Sequence, residues 1–298
     1  MNSRQSFRLF RLFGIDVFLH WSWFLVAAYR ISERQGGYGS LTWCIAEYLG
    51  LFGMVLVHEF GHALACRQVG GTSREILLWP FGGVAYVNPP PRPGALLWSI
   101  AAGPLVNVVL IPVYWYLMRQ GTFGMGTDGL RLVANLQFIN FVLLIFNLLP
   151  IYPLDGGQIL RALLWFVVGR ARSLTVACVI GVLGAIGVAA LALSQHSVWL
   201  GILAVLGIQQ CWMGVKEARR LVRLAKLPRH DQFACPSCHE KPIQAALWLC
   251  PDCQKPFDTF ASGAVCPNCG KAFALTGCPA CRKQHSMAEW AAAATSIP

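Results

Sequence analysis

Three ionisable side chains, His58, Glu59 and His62, fall within five residues of an otherwise apolar run. On a helix, residues four apart share a face, so the imidazoles of His58 and His62 can grip one metal ion from adjacent turns. Glu59 stands close enough to reach a water held at that ion, the arrangement of metal-assisted hydrolysis. A pair of core histidines satisfied by hydrogen bonds would also fit the spacing. Three ionisable groups in so apolar a segment are costly, however, and mark functional sites.

A catalytic zinc takes three protein ligands and keeps a fourth position for water. The candidate third ligand is Asp155, in Asn147-Leu-Leu-Pro150-Ile-Tyr-Pro153-Leu-Asp155-Gly156-Gly157. The two prolines interrupt a helical hydrogen-bond ladder, and the two glycines let backbone approach closely. Irregular backbone at membrane depth is tolerated only where it is buried in protein or faces a watery cavity. The segment therefore reads as the wall of a site, against the plainer reading of a loop where a span leaves the bilayer. Asn147 reads either as a donor to an oxyanion or as an amide bonded between helices. Asn107, in a stretch that Pro104 would loosen, is a candidate substrate contact that interhelical packing explains at least as well.

The elements that must position these groups are set by composition. Hydrophobic residues make up 56% of the 298 and charged ones 12%, too few polar groups to clothe a soluble globule. Crossing a bilayer takes about 20 mostly apolar residues. Residues 95–118, 132–149 and 173–194 carry no charge, 198–215 is nearly as apolar, and 12–29 and 41–65 are less clean because they hold Asp16 and His20, and Glu47 with the His58 cluster. Six spans follow. The stretch 159–168 is too short to cross and continues the unit that holds Asp155.

Lys and Arg are retained on the cytoplasmic side of short loops. Arg4, Arg8 and Arg11 put the N-terminus inside, and six crossings return the chain inside, where Lys216, Arg219, Arg220, Arg223, Lys226 and Arg229 lie. Arg119 and Arg131 fall in an outer loop and run against this pattern. The net charge of +11 is explained by this basic collar facing anionic headgroups rather than by a nucleic acid. The N-terminal apolar run has no small-residue cleavage site after it and reads as uncleaved.

With these residues in place the chain resembles the site-2 protease family of intramembrane zinc metalloproteases. The resemblance rests on His58-Glu-Phe-Gly-His62 in one span and Asn147 to Gly157 in a later one. It extends to Gly14-Ile-Asp-Val-Phe-Leu-His20-Trp21, Trp79-Pro-Phe-Gly82-Gly83-Val-Ala and Gly103-Pro104-Leu-Val-Asn107, over residues 12–215. It implies a six-span core, zinc on His58, His62 and Asp155, and Glu59 as catalytic acid/base, with Asn147 suggested at the oxyanion. His20 and Trp21 read as structural. Residues 75–87, around Gly82 and Gly83, are rich in β-formers and read either as an edge strand that clamps extended substrate, as similar elements in the family do, or as a plain hairpin on the cytoplasmic face. Relatives with a PDZ domain between spans filter substrates that way, but no loop here has room for one. Others carry a CBS pair after the last span.

Here the tail is different. Cys235-Pro-Ser-Cys238, Cys250-Pro-Asp-Cys253, Cys266-Pro-Asn-Cys269 and Cys278-Pro-Ala-Cys281 are four metal knuckles, and two pairs of thiolates complete one tetrahedron. The spacers of 11 and 8 residues suit two short ribbons made from neighbouring knuckles. The stretch is similar to the double zinc ribbon found on many proteins, with too few apolar residues for a core of its own. Disulfides are the competing account of these eight cysteines, and a cytosolic position argues against them. Cys44, Cys66, Cys178 and Cys211 read as small buried apolar residues.

The expectation is an all-α polytopic membrane protein with about six transmembrane helices and a short β hairpin or sheet on the cytoplasmic side, followed by a small zinc-ribbon domain. Its parts are a transmembrane domain 1–215, a basic linker 216–230, a double ribbon 231–285 and a tail 286–298. Both termini face the cytoplasm, and the membrane is that of a prokaryotic cell. The cofactors are one catalytic and two structural zinc ions. The partners are the lipid bilayer, a membrane-protein substrate and a protein docked at the ribbon. Two rival readings are a catalytically silent membrane scaffold and an ion-binding, transporter-like protein.

Overall fold

The computed structural model describes residues 6–27, 37–79, 82–120, 126–281 and 283–295. The chain divides into two compact units, Met1–Val215 and Lys216–Pro298, and each is described by itself.

The first unit begins with strands. β1 (Ser6–Leu12) and β2 (Ile15–His20) form an antiparallel pair, which corrects the first part of the expected span over 12–29. Ile15, Val17 and Leu19 are buried while Asp16, Phe18 and His20 face the other way, the period of two that defines a half-buried strand. Asp16 is consequently no charge in lipid, for it pairs with Arg8 at 2.6 Å on the sheet. Residues 22–27 are helical, and residues 28 and 29 lie outside the described residues.

β3 (Thr72–Trp79) and β4 (Gly82–Asn88) complete a sheet of order β1-β2-β3-β4. The expected hairpin is thus half of a larger sheet, and Pro80 and Phe81, between its strands in sequence, are not among the described residues. β2 and β3 run parallel, with Val17 opposite Ile76 and Phe18 opposite Leu77. Parallel neighbours need a long crossover, and this one contains α1 (Leu41–Gln68), the helix that carries His58 and His62. Ile15, Val17, Ile76 and Leu78 pack against Val55, Phe60 and Ala63 of that helix in one apolar cluster. The sheet is therefore fixed to the metal-motif helix by its buried face.

Helices follow: α2 (Pro93–Arg119), α3 (Gly126–Leu148), α4 (Asp155–Val168), α5 (Arg170–Ser194) and α6 (Val198–Ala225). Among the described residues α1, α2, α3 and α5 are long and apolar enough to cross a membrane. Side chains such as Phe138, Ile145 and Leu183 stand outward on them, the surface that lipid requires. α4, with 14 residues, is too short, as expected for 159–168. The apolar stretch 198–215 is the first part of α6, which continues unbroken to Ala225. Most of the basic segment expected as a linker is accordingly helical. Glu47, the charge left inside the second expected span, is buried and accepts hydrogen bonds from the Tyr38 hydroxyl and from Asn135 Nδ2, the latter at 2.8 Å.

In the second unit the cysteines gather into two tetrads, Cys235, Cys238, Cys278 and Cys281, and Cys250, Cys253, Cys266 and Cys269. This corrects the expectation that neighbouring knuckles pair: the first knuckle joins the fourth, and the second joins the third inside it. Two short strand pairs bracket one knuckle of each tetrad, β5 (Trp248–Leu249) with β6 (Pro256–Phe257) around Cys250 and Cys253, and β7 (Thr276–Gly277) with β8 (Gln284–His285) around Cys278 and Cys281. Sulfur separations of 3.6 Å for Cys235 to Cys281 and for Cys250 to Cys269, and 3.7 Å for Cys238 to Cys278 and for Cys253 to Cys266, match the edge of about 3.8 Å of a tetrahedral zinc–thiolate site.

The unit also holds a small apolar core, which the sequence reading denied it. Phe260 packs edge-on against Trp248 and Trp290 with centroids 5.2 and 4.8 Å away, and Trp290 is fully buried. Trp290 belongs to α7 (Met287–Thr295), so part of the expected tail is built into the ribbon; residues 296–298 lie outside those described. A capping box starts this helix, since Ser286 N–H donates to Glu289 Oε2 at 2.7 Å and Glu289 N–H to Ser286 Oγ at 3.4 Å.

The nesting has a direct test. Replacing Cys253 and Cys266 together by Ser strikes one tetrad, so zinc per purified chain should fall by one equivalent; pairing of neighbouring knuckles requires a fall of two.

Candidate active site

The site grows from a close crossing of α1 and α2. A β-carbon at Gly61 would stand 2.8 Å from the Ala102 carbonyl oxygen, so only glycine admits this approach of the two backbones. Ser99, Gly103 and Asn107, four residues apart, line the facing side of α2. The His62 ring meets the Ser99 carbonyl through Nδ1 at 2.9 Å, and the His58 ring meets Asn107 Oδ1 through Nδ1 at 2.6 Å. Both rings are thereby turned so that their Nε2 atoms converge, 3.1 Å apart.

Asp155 comes to the same point from elsewhere. It is the first residue of α4, placed by the irregular segment 149–154 that Pro150 and Pro153 keep out of helix. Its Oδ2 lies 3.2 Å from His58 Nε2 and 3.3 Å from His62 Nε2. Three donors at the corners of such a triangle match one face of a tetrahedron with ligand bonds of about 2.0 Å, whose edges are about 3.3 Å. A carbonyl oxygen can only accept, so the His62 hydrogen is on Nδ1 and its Nε2 offers a lone pair. Two imidazole nitrogens and a carboxylate oxygen converging in this way are the donor set of a catalytic zinc, and the residues fit that ion.

Glu59 is buried with the two histidines. Its Oε2 accepts the Ala85 backbone N–H of β4 at 2.8 Å. Gly83 faces it so closely that an added β-carbon would stand 2.2 Å from Glu59 Cγ. The glycine expected to contact substrate thus makes room for the carboxylate. Gly82, with φ of +134°, adopts a backbone that other residues rarely enter.

Asn147 stands half-buried in the last turn of α3. Asn107 departs from its expected role at the substrate: it is fully buried, and its amide is engaged by His58 and by Asn140 at 2.8 Å. Asn140 and Ser99 were missed from sequence. For Asn140 the available signal was an amide inside the apolar span 132–149. For Ser99 there was none, since it acts through its backbone carbonyl.

The model of the family described as Peptidase family M50 matches residues 46–127 and 127–191. The solved site-2 protease from Methanocaldococcus jannaschii is 30% identical, with a TM-score of 0.54 over 70% of this chain and 95% of that one. The chain belongs to peptidase family M50, the site-2 proteases. A zinc metalloprotease of the same archaeon is 37% identical over 59% of this chain and 50% of its own length. Stage IV sporulation protein FB of Bacillus subtilis is 35% identical over 41% of each. The chain thus spans about half the length, or less, of these curated relatives. Membership makes it an integral membrane protein of a zinc metalloprotease family.

Gly103 tests the geometry of this M50 site. A β-carbon there would meet His62 Nε2 at 2.2 Å and His58 Nε2 at 2.9 Å, filling the place of the ion. Gly103→Ala should lose the core zinc equivalent while the cysteine tetrads keep theirs, as counted by elemental analysis of purified protein.

Proposed function

We propose that the chain is an intramembrane zinc metalloendopeptidase that hydrolyses peptide bonds within or near transmembrane segments of membrane-protein substrates, as in regulated intramembrane proteolysis. The observation that carries this reading is the triangle of His58 Nε2, His62 Nε2 and Asp155 Oδ2, with edges of 3.1 to 3.3 Å, beside a buried Glu59. When bound there, zinc supplies a Lewis acid for the carbonyl and an acidified water as nucleophile. Glu59 takes the proton of the attacking water and returns it to the departing amine. We assign Asn147 to the oxyanion.

A substrate helix hides its scissile bond in its own hydrogen bonds and must be held extended. β4 is an end strand of the sheet, and apart from the Ala85 N–H taken by Glu59 we assign its outer N–H and C=O groups to strand addition by the substrate. Val84 and Tyr86 stand exposed along it, beside the turn at Gly82. The cysteine tetrads take two structural zinc ions, and the ribbon docks a protein partner or the substrate itself. Both termini face the cytoplasm of a prokaryotic cell.

Glu59→Gln removes the proton carrier and leaves every proposed metal ligand in place. Cleavage of a membrane-helix substrate by the purified variant should fall at least about 100-fold with core zinc unchanged. Persistent cleavage overturns the role of Glu59; a wild-type chain that holds zinc and cuts nothing supports the silent scaffold instead.

A further inference from the structure

Behind His58 runs a chain of amides whose direction is fixed at its far end. Asn140 Nδ2 lies 2.9 Å from the backbone carbonyl oxygen of Asn107. A carbonyl oxygen accepts and never donates, so this end of the Asn140 amide must be its NH2. Its other end, Oδ1, lies 2.8 Å from the Asn107 side chain and must receive a hydrogen from Asn107 Nδ2. Asn107 Oδ1 is then the atom left facing His58 Nδ1 at 2.6 Å. An acceptor in that place demands N–H on Nδ1 and leaves the lone pair of His58 on Nε2, where His62 and Asp155 converge.

Both asparagines are fully buried, so no water competes for these atoms. Were Asn107 to turn over, its NH2 would face Nδ1 and favour the ring hydrogen on Nε2, the tautomer that turns no lone pair toward the metal. His62 has no such hazard, because the Ser99 carbonyl meets its Nδ1 directly.

We infer that Asn140 is a positioning residue: it locks the Asn107 amide in the single orientation that keeps the Nε2 lone pair of His58 turned toward the metal. The inference rests on the zinc site proposed above. It acts two side chains away from the ion, on a different helix from either histidine.

The test counts core zinc in the purified full-length chain under a graded chelator challenge. Core zinc is the amount held beyond that of a His58→Ala, His62→Ala chain, which reports the cysteine tetrads alone. Asn140→Leu should weaken core zinc at least about tenfold, the usual scale for such outer partners. An Asp at 107 presents only oxygens and has no wrong orientation. In an Asn107→Asp background the same Asn140→Leu change should therefore cost less than about threefold, whereas a merely structural role costs the same in both backgrounds. Equal losses, or no loss from Asn140→Leu alone, overturn the lock. If the single variant does not accumulate, the double variant decides, since it must hold core zinc within about threefold of wild type. A wild-type chain with no core zinc sinks the metal reading itself, a separate result.

Discussion

The contact on which the site depends is the backbone-to-backbone approach of α1 and α2. Lipid tails are as apolar as leucine, so helices in a bilayer gain little by burying apolar surface against each other and rely on close packing and internal hydrogen bonds. Gly61 and Gly103 remove the side chains that would hold these helices apart. The carbonyl of Ser99 and the amide of Asn107 then fall within reach of two imidazoles. Metal geometry at the histidines is in this sense a property of the neighbouring helix. α1 carries the ligands, but α2 decides which way their rings face.

The sheet plays the corresponding part on the other side of α1. Its buried face packs on the helix around Phe60 and Ala63, and its last strand offers Ala85 N–H to Glu59. The Glu59 carboxylate and the strand we propose for substrate are thus tied to one element. The two imidazoles, the Glu59 carboxylate and the strand edge are held by packed helices and sheet, with Asp155 delivered from the broken backbone after α3.

Much of this was legible in the residues. His58, Glu59, His62 and Asp155 are chemical groups whose cost in an apolar chain can be borne only by a site, and the structure brings the two histidines and the aspartate together. Four pairs of cysteines announce metal by spacing alone. What escaped is what spacing does not encode. The run 12–29 is apolar enough to pass for a span, and only its inward Ile15, Val17 and Leu19 against Asp16 and His20 betray a strand. The order in which knuckles pair depends on where the chain doubles back, which the identical Cys-Pro-x-Cys units leave open. Asn140 was one amide among many polar residues until Asn107 gave it a direction, and Ser99 works through an atom every residue has.

The parallel pairing of β2 with β3 has a consequence for biogenesis. Once made, β2 must wait for a partner more than fifty residues further along, with a helix long and apolar enough to cross a membrane emerging between them. Until then β2 has only β1 beside it, and a lone hairpin is marginal in water. The sheet therefore closes only after α1 has emerged, so that the two strands come together around the helix that carries His58 and His62.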